Sequence, residues 1–168
     1  MLKNISSQSC ESFLTSQLWM KEQIQPNAVD LTLDEVFAFS EDSVFEIDNE
    51  MKVHRKQHPV DVLDSNANTF VLTPGSYRIV FKEKINIGDQ EAGFVVPRST
   101  FIRNGVFIHS GLYDSGYTGR MEAGMNVTAG CMNIKKNTRI GQILIFDAEA
   151  LHLYDGDYQD RLTGAPAV

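Results

Sequence analysis

The sequence predicts a mainly β fold, an antiparallel sandwich, jelly roll or barrel, with one short helix near the N-terminus. Three observations predict it. Short apolar runs recur through most of the chain at spacings of ~8–12 residues, as strands do in such folds. Turn pairs separate many of them: Pro74-Gly75, Asn104-Gly105, Ala129-Gly130 and Asp155-Gly156. Helical spacing of apolar residues is confined to the first twenty-odd positions.

Taken in order, Phe13, Leu14, Leu18 and Trp19 recur at roughly helical intervals within 10–23, and Pro26 closes that helix. The runs 31–33, 36–39 and 44–47 read as strands with acidic residues between them. Residues 50–60 are polar and basic, which makes them a surface excursion. Strands follow at 70–72, 77–81, 94–96, 106–108 and 143–146. After 94–96, Pro97 ends the strand, Ser99 suits the N-cap of a single helical turn, and Asn104-Gly105 suits its stop. Met121, Met125 and Met132 read as core fillers. Residues 162–168 carry no apolar period and read as a mobile C-terminal tail. With no internal repeat, residues 1–168 read as a single domain long enough to bury its own core.

Composition excludes several classes. The 42 % hydrophobic and 22 % charged content is that of a soluble globular protein. No apolar run reaches the ~18 residues that span a bilayer, so no membrane partner is expected. The N-terminal residues lack the apolar core of a signal peptide. Cys10 and Cys131 are isolated, which suits reduced thiols and a cytoplasmic location. A net charge of −7 argues against nonspecific nucleic-acid binding, where neutralising phosphates dominates affinity.

Positive charge is nevertheless gathered in one segment. Residues 98–139 hold six Lys/Arg and two acids, a balance of +4, while the remainder holds nine bases and twenty acids. Such focusing suits a polyphosphate nucleotide. Within that segment, a helical turn begun at Ser99 would present free N–H groups and the Ser99 hydroxyl to an anion, flanked by Arg98 and Arg103. Read alone, the same stretch is equally a capped surface turn. Asp114 lies in Gly111-Leu112-Tyr113-Asp114-Ser115-Gly116-Tyr117-Thr118-Gly119, where glycines permit a wide-mouthed hairpin and the carboxylate can orient or deprotonate a water. The alternative is an Asp-Ser-Gly turn former. Tyr117 offers a flat ring to a deoxyribose, or else a core aromatic. Gln142 can donate to a phosphate oxygen while Arg139 braces a neighbouring carboxylate. His109 reads as a packing or backbone-bonded residue.

The order of these elements resembles the trimeric dUTPase / dCTP deaminase superfamily over nearly the whole chain. Pro97-Arg98-Ser99-Thr100 is similar to its phosphate-binding Pro-Arg-Ser-Ser element, and residues 111–119 to its Gly-x-Ile-Asp-x-x-Tyr-x-Gly hairpin. Thr138-Arg139-Ile140-Gly141-Gln142 is similar to its late Arg-Ile-Gly/Ala-Gln element. Gln25-Pro26-Asn27-Ala28-Val29-Asp30-Leu31 resembles the N-terminal segment of the deaminase branch, and 154–161 its Tyr-x-Gly-Lys-Tyr-Gln-Gly-Gln tail. The resemblance implies a distorted jelly-roll, or β-clip, fold, a homotrimer with sites between subunits, and a nucleotide carrying Mg²⁺ mainly on its phosphates.

The two branches part at one position. Deaminases carry a proton-shuttling glutamate ten residues after the hairpin aspartate, where this chain has Gly124, or Ala123 with a one-residue gap. Glu122 shares a strand face with Gly124 but lies ~6.6 Å from it along the strand. The resemblance therefore implies a dUTP diphosphatase, with a dCTP deaminase or a non-catalytic deoxynucleotide-binding regulator as alternatives. Asp114 is then catalytic, and Arg98, Ser99, Thr100, Arg103, Gly111, Tyr117 and Gln142 bind substrate. The Gly-rich closing arm usual in dUTPases is missing, and Tyr154, Tyr158 and Arg161 are the stand-ins.

Overall fold

A computed structural model describes residues 1–18, 20–63 and 68–159. Its strands are β1 (Leu2–Lys3), β2 (Phe13–Leu14), β3 (Val29–Phe39), β4 (Glu46–Ile47), β5 (Lys52–Val53), β6 (Gln57–Pro59), β7 (Thr69–Leu72), β8 (Gly75–Asn86), β9 (Glu91–Pro97), β10 (Val106–His109), β11 (Thr118–Val127), β12 (Met132–Lys135) and β13 (Arg139–Asp147). A 3-10 turn, Lys21–Gln23, precedes β3, and one short helix, α1 (Ser99–Arg103), follows β9. The main antiparallel sheet runs β1-β13-β3-β8-β11-β10, with β9 added to β13, β6 to β3 and β2 to β8. The pairs β7–β12 and β4–β5 form separate ribbons. The mainly β expectation holds, and the curled sheet is consistent with the β-clip or jelly-roll class.

The core follows from strand periodicity. Along β11, Met121, Ala123, Met125 and Val127 are buried while Arg120, Glu122, Gly124 and Asn126 face outward. In β8, Ile79, Val80 and Phe81 are all fully buried. Register shifts in β3 between Leu33 and Glu35, in β11 between Arg120 and Glu122, and in β13 between Arg139 and Gly141 bend the sheet on itself. Among the described residues no helix is long and apolar enough to cross a membrane.

Three expectations are corrected. The helix over 10–23 does not form: Phe13–Leu14 pairs with β8, and only Lys21–Gln23 makes a 3-10 turn. Tertiary hydrogen bonds win there. The Glu91 carboxylate takes the Ser12 amide at 2.7 Å and its hydroxyl at 2.6 Å, while Gln23 donates to the Asp30 carbonyl at 3.0 Å and to Glu83 at 2.8 Å. The run 44–47 is no core strand, since Val44, Phe45 and Ile47 are exposed and only Glu46–Ile47 pairs, with β5. Its apolar letters matched a strand, but the main sheet has no neighbour for it. Ser99 is not the N-cap of α1: Arg98 takes that place, with no side-chain cap, its backbone still extended at φ −66° and ψ 144° beside β13 while its carbonyl accepts from the Phe101 N–H at 2.9 Å. The surface excursion at 50–60 is observed as β5 and β6, largely exposed. The expected tail at 162–168 lies outside the described residues.

Candidate active site

One half of the site is built where β9 runs into α1 beside β13. Pro97 pairs with Gly141 and Val96 with Gln142, so the start of α1 lies against the late Arg-Ile-Gly-Gln element. Close approach is possible because Gly141 has no side chain: a Cβ there would sit 2.7 Å from Val95 Cγ1. Ser99, Thr100 and Arg103 project into solvent from the helical turn.

Behind them lies Asp30, 1 % exposed on β3. Its Oδ2 is 3.0 Å from Arg139 Nη1 and 3.3 Å from Arg98 Nε, and its Oδ1 accepts from Gln142 Nε2 at 2.9 Å. Arg98 Nη1 also donates to the Arg139 carbonyl at 3.0 Å. Arg139 therefore braces a carboxylate as expected, but Gln142 and Arg98 share that same carboxylate. Asp30 is the residue that reading by motif missed. It stood in the quoted Gln25–Leu31 segment, yet no local pattern shows that it meets groups 109 and 112 positions away. The buried layer beneath continues through Gln23 to Glu83, which accepts the Thr32 amide at 2.9 Å and hydroxyl at 2.8 Å. With its polar groups paired, this layer is a rigid base for the arginines.

The other half is the hairpin. Tyr113 exchanges two backbone hydrogen bonds with Gly93, at 2.9 and 2.7 Å, and the Ser115 hydroxyl donates to the Glu91 carbonyl at 2.7 Å. Asp114, between these two anchors, is exposed. Gly116 holds φ +81°, a left-handed conformation that favours glycine. The Tyr113 hydroxyl donates to the Glu122 carbonyl at 2.8 Å, and burial pushes its ionisation far above the ordinary tyrosine range. Tyr117 is 7 % exposed, with its ring centroid 5.4 Å from that of Tyr113 and 5.5 Å from that of Tyr154. A cleft of about 320 Å³ is lined by Gly111, Asp114, Tyr117, Glu122, Tyr154 and Tyr158 among others. A second, of about 550 Å³, lies on another side of Asp114 beside Leu151 and Tyr154.

The segment after β13 docks on this hairpin. Tyr154 N–H donates to the Ser115 carbonyl at 2.8 Å, and Gln159 clamps residues 116–118 from both sides of its amide, donating to Gly116 O and accepting from Thr118 N–H at 3.1 Å each. Gln159 was in the quoted tail motif but carried no assigned role. Arg161 lies outside the described residues. His109 is neither packed nor buried; it is exposed on β10 opposite Gly124.

Within one chain the two halves do not meet. Asp114 follows Tyr113, which pairs with Gly93, so it stands beside Ala92 on β9. Arg98 is six residues further along, roughly 20 Å at strand rise. Neither cleft lined by Asp114 includes Arg98, Ser99, Thr100, Arg103 or Gln142.

The family model of dCTP deaminase-like proteins matches residues 4–148. The chain belongs to the dCTP deaminase-like family. A Halobacterium salinarum protein named "Probable deoxyuridine 5'-triphosphate nucleotidohydrolase" is 37 % identical over 145 residues, covering 84 % of this chain and 86 % of its own. A Methanocaldococcus jannaschii protein named "Deoxyuridine 5'-triphosphate nucleotidohydrolase" is 30 % identical over 143 residues, covering 84 % and 90 %. Among solved structures, 2'-deoxycytidine 5'-triphosphate deaminase from Agrobacterium tumefaciens superposes with TM-score 0.61 at 17 % identity, over 84 % of this chain and 45 % of that one. A Staphylococcus bacteriophage 80alpha dUTPase mutant with dUpNHpp superposes with TM-score 0.55 at 14 % identity, over 90 % and 97 %. These structures share the fold. In this dCTP deaminase-like chain Ala123 points into the core and Gly124 pairs with Arg78, so neither offers an acid to the cleft. Glu122 does line it, but its Oε2 is 2.8 Å from Arg78 Nη1.

Proposed function

We propose that this protein hydrolyses dUTP to dUMP and pyrophosphate. The observation that carries the reading is an exposed Asp114 held by Tyr113 and Ser115 at the edge of an aromatic cleft, on a chain whose relatives bear the dUTP nucleotidohydrolase name. The cleft takes the nucleobase. Hairpin backbone groups read its edge, Tyr117 packs against the deoxyribose and leaves no room for a 2′-hydroxyl, and Tyr154 and Tyr158 cover it, with Arg161 adding charge at the phosphates.

Asp114 orients a water and takes its proton as the water oxygen bonds to the α-phosphorus. The bond from that phosphorus to the bridging oxygen breaks, and pyrophosphate leaves with the electron pair. Arg98, Ser99, Thr100, Arg103 and Gln142 stabilise charge on the phosphate oxygens. Gln142 Nε2 has a second hydrogen for this, beyond the one given to Asp30. Among the described residues no three His, Cys, Asp or Glu side chains gather to hold a metal, and Asp30 is taken up by its arginines. The arginines and hydroxyls of the α1 turn fit a nucleotide that brings Mg²⁺ with it; that ion would neutralise phosphate charge.

Roughly 20 Å between Asp114 and Arg98 is too long for the hydroxyls of Ser99 and Thr100 to reach a phosphate whose α-phosphorus is attacked beside Asp114. The reading accordingly places the hairpin of one subunit against the α1 turn of another, in a homotrimer. Deamination of dCTP is the second reading, favoured by Glu122 in the cleft; its carboxylate is held by Arg78, which leaves it poorly placed to shuttle a proton. Incubation with dUTP and with dCTP, each with Mg²⁺, separates the two: pyrophosphate from dUTP without ammonia from dCTP is expected. Asp114→Asn should lower the rate of dUTP hydrolysis by about 10²–10⁴-fold; an undiminished rate overturns the assignment.

A further inference from the structure

The segment that covers the cleft is held from a second direction by the exposed ribbon β4–β5. Lys52, the first residue of β5, has its Nζ 2.9 Å from Asp157 Oδ2 across 105 positions of sequence. The same ammonium stands 5.6 Å from the ring centroid of Tyr158. Tyr158 lines the cleft with Asp114 and Tyr117, and its backbone N–H donates to the Tyr154 hydroxyl at 3.3 Å. Tyr154 in turn meets the Tyr117 ring edge-on. A continuous set of contacts thus runs from a surface lysine to the aromatic floor of the cleft. The ribbon supplies nothing to the core: its ladder is two residue pairs long, and Ile47 and Val53 are exposed.

We propose that Lys52 is a positioning residue for the nucleobase cleft, holding Tyr158 at its mouth by pairing with Asp157 and facing the Tyr158 ring. The proposal rests on the reading of that cleft as the dUTP site. An exposed ion pair and an exposed ammonium–ring contact are each weak. Here they act on adjacent residues of one short segment, whose ordering is itself a small free-energy difference, so together they shift its closed population several-fold.

The test compares wild type, Lys52→Ala, Lys52→Arg and the pair-reversing double variant Lys52→Glu/Asp157→Lys by two readouts. The first is amide hydrogen exchange of residues 154–159 without nucleotide; the second is steady-state dUTP hydrolysis. Lys52→Ala should speed exchange in 154–159 about three- to tenfold and raise KM for dUTP by a similar factor, lowering kcat by less. Lys52→Arg should keep both near wild type, and the double variant should recover only the part carried by the ion pair, since it takes the cation away from the Tyr158 ring. Unchanged exchange in Lys52→Ala, or equal acceleration in the core strands β8 and β11, overturns the proposal, as does faster exchange with an unaltered KM. If wild type does not hydrolyse dUTP, the functional reading falls, and the exchange measurement alone judges the hold of Lys52 on the segment.

Discussion

Glu91 offers the sharpest test of how the hairpin is supported. Its carboxylate is 1 % exposed and receives five donors: Lys3 Nζ at 2.7 Å, the Glu11 amide at 3.1 Å, the Ser12 amide and hydroxyl at 2.7 and 2.6 Å, and the Cys10 thiol at 3.4 Å. Burial by itself would raise its pKa, but Lys3, the Ser12 hydroxyl and the two amides outweigh it and bring the carboxyl from 4.5 to about 2. That displacement corresponds to about 3 kcal/mol of folding stability. The sign follows from a folded pKa below the unfolded one: the contribution is complete above pH 4.5 and is lost as pH falls towards 2. Glu91→Gln keeps the shape but turns an amide N–H₂ toward groups that are themselves donors. The variant should be about 3 kcal/mol less stable than wild type at pH 7, and the gap should close progressively below pH 4.5. Urea unfolding of both proteins at one fixed protein concentration, at pH 7, 5, 4 and 3, measures it, so that any mass-action term from assembly enters at the same concentration throughout. A gap that stays constant with pH, or no gap at pH 7, would refute the reasoning. Because Ser115 donates to the carbonyl of this same residue, a stable variant with the N-terminal segment loosened should also hydrolyse dUTP more slowly.

Gly141→Ala places a methyl 2.7 Å from Val95 Cγ1 and 3.4 Å from Phe81 Cε1, inside the joint between β9 and β13. It should cost about 1–3 kcal/mol, seen as a lower thermal midpoint; an unchanged midpoint would mean that the joint yields freely. The two thiols should react at different rates with a disulfide reagent at pH 8. Cys10, its pKa pushed up to about 11 by burial and by donation to Glu91, should lag about tenfold or more behind exposed Cys131, and equal rates would contradict the Cys10 environment. The Asp114→Asn and Lys52→Ala measurements complete the set.

Much of the fold was legible because strand alternation is a local signal. Met121, Ala123, Met125 and Val127 repeat every second residue and point inward along β11, and turn pairs such as Asn104-Gly105 mark an end whatever follows, Gly105 at φ +69° included. The α1 turn and the hairpin around Asp114 were legible for the same reason: each is a contiguous run. What failed was local pattern meeting distant partners. The spacing in 10–23 was helical, but Glu91 and Glu83 bind the main chain of Ser12 and the side chain of Gln23 more strongly than a few turns of helix could hold them.

The sequence by itself determined the β architecture, the glycine-bounded hairpin that carries Asp114, and the arginine-rich turn at 98–103. Only the tertiary structure decided that Asp30 gathers Arg98, Arg139 and Gln142, that Lys52 reaches Asp157, and that Asp114 stands far along β9 from the α1 turn. The physical reason is that periodicity records which face of a strand is buried, whereas the pairing of charges is set by register, and register depends on bulges and neighbouring strands that no short window contains.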